Sequence, residues 1–492
     1  MTVSNPLKRA RTDPLLSYRI DAQPLLDQLL GVPNSDFTVE NVIAATKTAN
    51  FRDLVITIDN GDAIVSQLDS MWGWLDLSKV ESSKRQKTRS GTAPYRQALD
   101  DLDNKIWFAE STITYLREQR AIANRPVAPI GNRGDGNFYL TAIKMGQGDC
   151  TLITTPKGQV IMIDCGSDAT ETTDDDESEG TTETKEQYQS RIQGTIYSDK
   201  FLKNDGVISV LILTHADTDH YNKIPVMLKD TVRFQNVYHS GRISDYSAQG
   251  GAGKSIGSWI TAHATRDNSV KAVSHNEESG IVEISINGVG ASPQDDTNKI
   301  DHIDAGNGLC IVDEPNCKVS ILASNVHQTF EDKYKNPIND QSNEKNRGSV
   351  VTLIEVFGKK ILICGDATRN TEQYLINNHQ DRIKNLTISQ APHHGSDNTS
   401  SGLAFVNVIN PTEVLVSSGR KVKKDHLPSA ATIVRYSRKM GRSAFAEIAE
   451  HRIFYWETTG SGGYTSQDEF IKRPISITGS WGTVEKSVPN PG

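Results

Sequence analysis

The sequence predicts an α/β fold in which β-sheets stack on one another and helices cover the outside. Three observations carry that prediction. Apolar runs of strand length recur after Phe138, at 139–145, 159–163, Val207–Leu213, 350–357, 360–364 and 414–417. Helical patterns interrupt them, after His220 and over 371–378, as a layered chain requires. Carboxylates and imidazoles stand where several of these runs end, at Asp164, His215 and Asp366.

Length and composition set the class. At 492 residues the chain is long enough for two or three domains with a sizeable core. Hydrophobic residues at 36% and charged residues at 23% are the mixture of an ordinary soluble protein. A net charge of −8 excludes a protein that coats nucleic acid by bulk attraction, so any such contact uses a local patch or bound metals. The five cysteines (Cys150, Cys165, Cys310, Cys317 and Cys364) are odd in number, and three lie in apolar surroundings. Reduced thiols in a reducing, cytoplasmic compartment follow as the expectation. No apolar stretch reaches the roughly 18 residues of a membrane span, and the start lacks the apolar core of a signal peptide. The basic cluster Lys8, Arg9 and Arg11 reads as a solvated tail.

Residues 1–134 read as a helical accessory or regulatory region without chemistry of its own. Its strongest helix is 96–120, where Leu99, Leu102, Ile106, Ala109, Ile113 and Leu116 alternate three and four apart. That seam is a candidate for pairing with a second copy of the chain, although packing within its own domain is the plainer use. Pro126, Pro129 and the glycines up to Gly136 mark a linker. The chemistry-bearing domain then spans 135–450. It carries an acidic insertion at 168–187, including Asp174-Asp-Asp-Glu177, with too little apolar content to pack. This segment is a candidate lid, or a place where a regulatory protein or a protease acts. Residues 245–307, rich in Gly, Ser and Asn, read as a second insertion. The end of the chain, 451–492, reads as a β-hairpin extension.

The segment Thr214-His-Ala-Asp-Thr-Asp-His220 carries most of the functional information. It follows a buried strand, and alternation puts His215, Asp217 and Asp219 on one side before a turn swings Asp219 and His220 round. Carboxylate and imidazole clustered at a strand-to-helix junction are what a hydrolytic metal site needs. Four further elements accompany it. Met145-Gly-Gln-Gly-Asp-Cys150 and the strand ending Ile163-Asp-Cys-Gly166 place Asp164 where it can orient a ligand histidine. Cys364-Gly-Asp366 exposes a strand-terminal carboxylate suited to bridging two cations. Ala391-Pro-His-His-Gly-Ser396 places two histidines in a turn. Adjacent histidines usually point apart, so one of the pair is expected to bind. His426 is a late histidine placed to touch substrate.

In this order the motifs resemble the metallo-β-lactamase fold superfamily, and within it the hydrolase domain of the ComEC competence proteins and their soluble relatives. The resemblance covers about 138–435. It implies a four-layer αββα sandwich with two divalent ions, Zn²⁺ or Mn²⁺, at one edge of the paired sheets. Carried over by position, His215 and Asp217 would hold the first ion, with Asn346 as a candidate third ligand. Asp219, His220 and His393 would hold the second, with His394 in reserve, and Asp366 would bridge both. Water activated between two ions is the nucleophile the resemblance implies. Asp219 would orient it or take its proton, and His426 or Ser396 would bind a phosphate oxygen or protonate the leaving group.

The function this predicts is a metal-dependent phosphodiesterase acting on a nucleic acid or nucleotide, first of all a nuclease acting on DNA. The acidic insertion would regulate it, and a toxic nuclease held in check would suit antiviral defence. Two other functions remain open: hydrolysis of a small molecule (a cyclic nucleotide, ester or lactone), or a metal-binding sensor or scaffold without catalysis.

Overall fold

A computed structural model describes residues 131–168, 183–203, 206–249, 254–266, 268–275, 300–326, 345–420, 426–440, 450–459 and 463–492. The helical accessory region with its 96–120 seam lies outside the described residues, as does most of the acidic insertion. Contacts divide the chain into two compact units, 1–127 with 449–452 and 128–448 with 453–492. The described residues belong almost wholly to the second.

That unit contains two large sheets. The first is built from β1 (Phe138–Ala142), β2 (Thr151–Thr154), β3 (Val160–Ile163), β4 (Val207–Leu213), β5 (Arg233–His239), β6 (Val270–His275) and β7 (Ile300–Ile303). The second begins with β8 (Leu309–Glu314), β9 (Cys317–Ala323), β10 (Val351–Val356), β11 (Lys359–Ile363), β12 (Ile388–Gln390) and β13 (Glu413–Val416). After the hairpin β14 (His451–Thr458) and β15 (Tyr464–Ile471), β16 (Ile475–Ile477) joins the second sheet beside β13, and β17 (Val484–Val488) joins the first beside β1. The orders are β17-β1-β2-β3-β4-β5-β6-β7 and β16-β13-β12-β11-β10-β9-β8. Strands β3 to β7 run parallel to one another, as do β11, β12, β13 and β16.

Three apolar layers follow from the two-residue alternation of the strands. Ile161, Ile163, Val210 and Ile212 face the gap between the sheets, where they meet Val319, Ile321, Ile354, Ile361 and Ile363 of the second sheet. The intervening residues Val160, Met162, Ile208, Leu211 and Leu213 face outward. They pack against α1 (Lys185–Ile196), α2 (Thr218–Tyr221), α3 (Ile224–Met227) and α4 (Ile256–His263). On the other flank Leu353, Leu362 and Cys364 pack against α5 (Arg369–Ile383), α6 (Leu403–Ile409) and α7 (Ala430–Lys439). The layer order is α, β, β, α, so the fold is a four-layer αββα sandwich, as the sequence predicts. Burial on both faces explains why β4 reads Val-Ile-Ser-Val-Leu-Ile-Leu rather than alternating with polar residues.

Three sequence expectations change. Residues 245–307 do not form a pure insertion: β6 and β7 extend the first sheet, α4 packs on it, and only part of the stretch lies outside the described residues. The tail beyond 451 is not hairpins alone, because β16 and β17 part company and close the two sheets separately. The acidic insertion ends earlier than 187. Thr184 and Gln187 form a reciprocal cap that starts α1 at Lys185, a Thr-x-x-Gln signature visible in the sequence. All five cysteines are free thiols, four of them buried. No described helix is long and apolar enough to cross a membrane.

Ile212 is fully buried between the sheets. Ile212→Ala should lower stability by about 2–5 kcal/mol, measured by urea unfolding of chelator-treated protein, with an unchanged m-value.

Candidate metal centre

Parallel strands deliver their C-terminal ends to one edge, the usual place for a ligand site in such sheets. Residues following β3, β4, β11, β12 and β13 converge there. Asp164, after β3, adopts φ +55°, a left-handed conformation that aspartate tolerates better than most residues. It accepts the Thr214 N–H on Oδ1 at 2.8 Å and the Thr214 hydroxyl on Oδ2 at 2.5 Å. The same Oδ2 lies 2.8 Å from His220 Nδ1. With Nδ1 donating to a carboxylate, the His220 lone pair sits on Nε2, which points at Asp366 Oδ1 3.2 Å away.

Asp366 reaches this place because Gly365 takes φ +50° at the end of β11, where a side chain would stand 2.7 Å from Thr214 Cβ. Gln390 fixes the same turn from the next strand. Its Oε1 accepts from the backbone N–H of Cys364 at 2.9 Å and of Gly365 at 3.1 Å. Its amide donates in turn to Asp149, which also accepts the Ser417 hydroxyl at 3.1 Å. Burial pushes the Asp149 carboxyl up to about 6. On the His220 side, a side chain at Gly166 would stand 2.4 Å from the Asp219 backbone, so only glycine lets the two loops touch.

The two oxygens of Asp366 face two different groups. Oδ1 lies 3.2 Å from His220 Nε2 and 3.6 Å from His394 Nε2, and His394 Nε2 lies 3.4 Å from Asp219 Oδ2. His220 Nε2, His394 Nε2 and Asp366 Oδ1 are all buried and lie against one another and Asp219. Oδ2 lies 3.8 Å from His215 Nε2 and 3.6 Å from His393 Nε2, and His215 Nε2 lies 3.6 Å from Asp217 Oδ2. Asn346 Nδ2 is 3.3 Å from His393 Nε2, and the Lys345 ammonium is 3.0 Å from Asp217 Oδ1.

Both members of the histidine pair therefore reach Asp366, where the sequence led to the expectation that one of them would bind metal. His393, His394 and Gly395 take φ +50°, +52° and +83° in succession, a left-handed turn. Successive side chains in a helical turn diverge by about 100° instead of the roughly 180° of a strand, so both rings can address one carboxylate. Their positions also differ from the expected assignment. His394 stands with Asp219 and His220, whereas His393 stands on the side of His215, Asp217 and Asn346.

Each ring is fixed from behind. His394 Nδ1 donates to the Ser417 carbonyl at 2.6 Å, and His393 Nδ1 lies 2.6 Å from Thr399 Oγ1. The Thr399 hydroxyl donates to Ser396 Oγ at 2.9 Å. Ser396 thus acts on His393 through Thr399. His426 lies elsewhere: its ring stacks on Tyr464, with centroids 4.3 Å apart and planes 8° from parallel, and meets the edge of Trp456 at 4.8 Å. The structure places it in an aromatic group with the C-terminal hairpin, not in the group around Asp366.

The electrostatics follow the geometry. Burial opposes charge on His220, but the Asp366 and Asp164 carboxylates hold its imidazole well above the usual range. Against the same burial, Asp366 and Asp219 carry His394 up to about 9. His393 goes the other way: burial, with only partial help from Asp366, depresses it. Asp366 is held far below the ordinary carboxylate range, because three histidine charges outweigh its burial. A buried pocket that draws protons this strongly onto two imidazoles attracts positive charge, and nitrogen with carboxylate oxygen is a donor set for a divalent ion. Donor atoms of Asp219, His220 and His394 lie within 4.8 Å of one another, as do those of His215, His220 and Asp366. The residues fit a cation, best on the Oδ1 side.

Lys345, Thr214, Gln390, Asp149, Thr399 and Ser417 had no role in the sequence reading. A buried Gln390 closing an apolar strand was a legible signal. Lys345, beside Asn346 in a Lys-Asn-Arg run, gave none.

No family model matches this chain, and no curated protein matches it. Among solved structures it is similar to human tRNase Z, short form, at 11% identity and a TM-score of 0.34, over 57% of this chain and 92% of that one. It is similar to CmlA, a diiron beta-hydroxylase from Streptomyces venezuelae, at 11% identity and a TM-score of 0.28, over 65% and 50%. It is also similar to Zn²⁺-bound PqqB from Methylobacterium extorquens, at 11% identity and a TM-score of 0.28, over 51% and 71%. Likeness at this level carries no functional argument. The layer order and the site geometry carry it instead.

Asp164→Asn should weaken binding of Mn²⁺ or Zn²⁺ roughly 10–100-fold by releasing His220 Nδ1. Isothermal titration calorimetry reads this directly, and far-UV circular dichroism should stay at the parent value.

Proposed function

We propose that the protein is a metal-dependent hydrolase whose substrate is a phosphodiester, a nucleic acid in the first instance. One observation carries the reading: His220 Nε2, His394 Nε2 and Asp366 Oδ1 converge, buried and facing one another, beside Asp219. Two imidazole nitrogens and two carboxylates turned toward one buried point are a donor set that a divalent ion would satisfy. A divalent cation, Zn²⁺ or Mn²⁺, would supply Lewis acidity at that point and make a water molecule easier to deprotonate.

The chain's own residues then divide the work. Asp164 and Ser417 hold His220 and His394 in one tautomer each, with Nε2 facing inward. The Asp149–Gln390 pair holds the turn that aims Asp366. The side chains of His215 and His220 are fully buried, and that of Asp366 nearly so, whereas those of Asp217 (25% exposed), Asp219 (19%) and His393 (20%) line the open side. Substrate enters from that side. Asp219 alone joins the buried ligand group to the solvent front, which suits it to orient a water molecule and accept its proton. A phosphodiester fits because its two non-bridging oxygens can face a cation on one side and the Lys345 ammonium on the other.

Purified protein given Mn²⁺ should cleave single- or double-stranded DNA or a generic aryl phosphodiester. Asp366→Ala should lose on the order of 100-fold or more of that activity, since it removes the one carboxylate common to both groups. Metal-loaded protein inert toward every diester would remove the substrate assignment. Undiminished cleavage by Asp366→Ala would trace the activity to a contaminant.

A further inference from the structure

The two sides of Asp366 are not equivalent. On the Oδ1 side the donor atoms of His220 and His394 face only the carboxylates of Asp366 and Asp219, which would bind the same ion. On the Oδ2 side the protein has already placed its own donors on two atoms a cation would use. The Lys345 ammonium pairs with Asp217 Oδ1 at 3.0 Å and reaches the Ala216 carbonyl at 3.4 Å. The Asn346 amide lies 3.3 Å from His393 Nε2. The Thr399 hydroxyl gives its proton to Ser396, so it accepts from His393 Nδ1–H, and the remaining lone pair on Nε2 is the one Asn346 occupies. Turning the amide round does not free it, for Nε2 would then carry the proton.

The position of both residues is built in. They sit in a helical turn at 345–347 that leads directly into β10. The next segment is anchored to the end of β4, where the Val350 N–H donates to the Thr214 carbonyl at 2.9 Å. Gly348 lets this turn sit close, since a side chain there would stand 2.8 Å from Ser240 Oγ. Lysine in such a place is a compact positive charge with three donors and no capacity to ligate while protonated.

Resting on the metal-hydrolase reading, we infer that this chain binds one divalent cation tightly, at Asp219, His220, His394 and Asp366, and that Lys345 with Asn346 takes the place of the second. The Lys345 ammonium supplies the positive charge that a second ion would bring to the Asp217 side, facing the open mouth of the site. Asn346 is then a positioning residue for His393 and not a metal ligand.

Metal stoichiometry tests this without any assay of hydrolysis. Metal-free protein titrated with Mn²⁺ by calorimetry, and desalted protein examined by elemental analysis, should retain one equivalent. A second should bind at least 100-fold more weakly. Lys345→Met should tighten the second equivalent tenfold or more while leaving the first unchanged. Asn346→His, which adds a ligand in place of a competitor, should do the same. Electron paramagnetic resonance should report isolated Mn²⁺ in the parent protein and a spin-coupled pair in the double variant. Two equivalents of similar affinity in the parent would overturn the inference while leaving the hydrolase reading standing, as would an unaltered second equivalent in both variants. Failure to bind any divalent ion would instead overturn both. Retention of the first equivalent in each variant shows that it has folded.

Discussion

A single carboxylate organises this site. The two oxygens of Asp366 lie within 3.8 Å of four imidazoles, two on each oxygen. Like-charged groups gathered this closely would repel one another were they all protonated, and a buried carboxylate alone would be costly to ionise. The arrangement is stable only if positive charge is shared around Asp366, by protons, by a cation or by a neighbouring lysine. The depressed imidazole of His393 and the raised one of His394 show how unevenly the protein shares it. The supporting network follows from the same demand: Asp164, Ser417, Thr399, Gln390 and Asp149 each hold a ring or a turn against that charge.

Backbone conformation is arranged to the same end. Asp164, His393 and His394 occupy left-handed conformations, and Gly365 and Gly395 flank them. Such residues are uncommon and persist only where the surroundings over-determine them. Here the sheets do so. Cys165 donates to the His220 carbonyl and His393 to the Gly365 carbonyl, so the ends of β3 and β11 grip the loops that carry the ligands. Geometry that would be strained in isolation becomes the one arrangement compatible with the packed layers.

The layered fold and the principal motif were legible in the sequence because strands buried on both faces are written as nearly unbroken apolar runs. β4, β10, β11 and β13 emerged within a residue or two of their expected bounds. Strands β5, β7 and β8 were not, since partial exposure dilutes their pattern with Arg and Asp. At the site, the groups read from the 214–220 motif and from Gly365-Asp366 do converge. The division of labour between His393 and His394 was illegible, because it depends on a left-handed turn that no propensity announces. The surroundings of His426 were illegible for a related reason, because the rings it packs against, Trp456 and Tyr464, lie well along the chain from it. Lys345 escaped notice because its partner Asp217 is 128 residues away along the chain and adjacent only after folding.

The candidate ligands come from both halves of the sandwich. His215, Asp217, Asp219 and His220 descend from the first sheet, while Asp366, His393 and His394 descend from the second. An ion held between them is therefore also a rivet across the seam of the molecule. At one hundred times its dissociation constant, a ligand that binds only the folded form adds about 2.7 kcal/mol to stability. The lifetime of this protein would then track the supply of divalent metal around it, and a cell starved of that metal would lose the polypeptide as well as its activity.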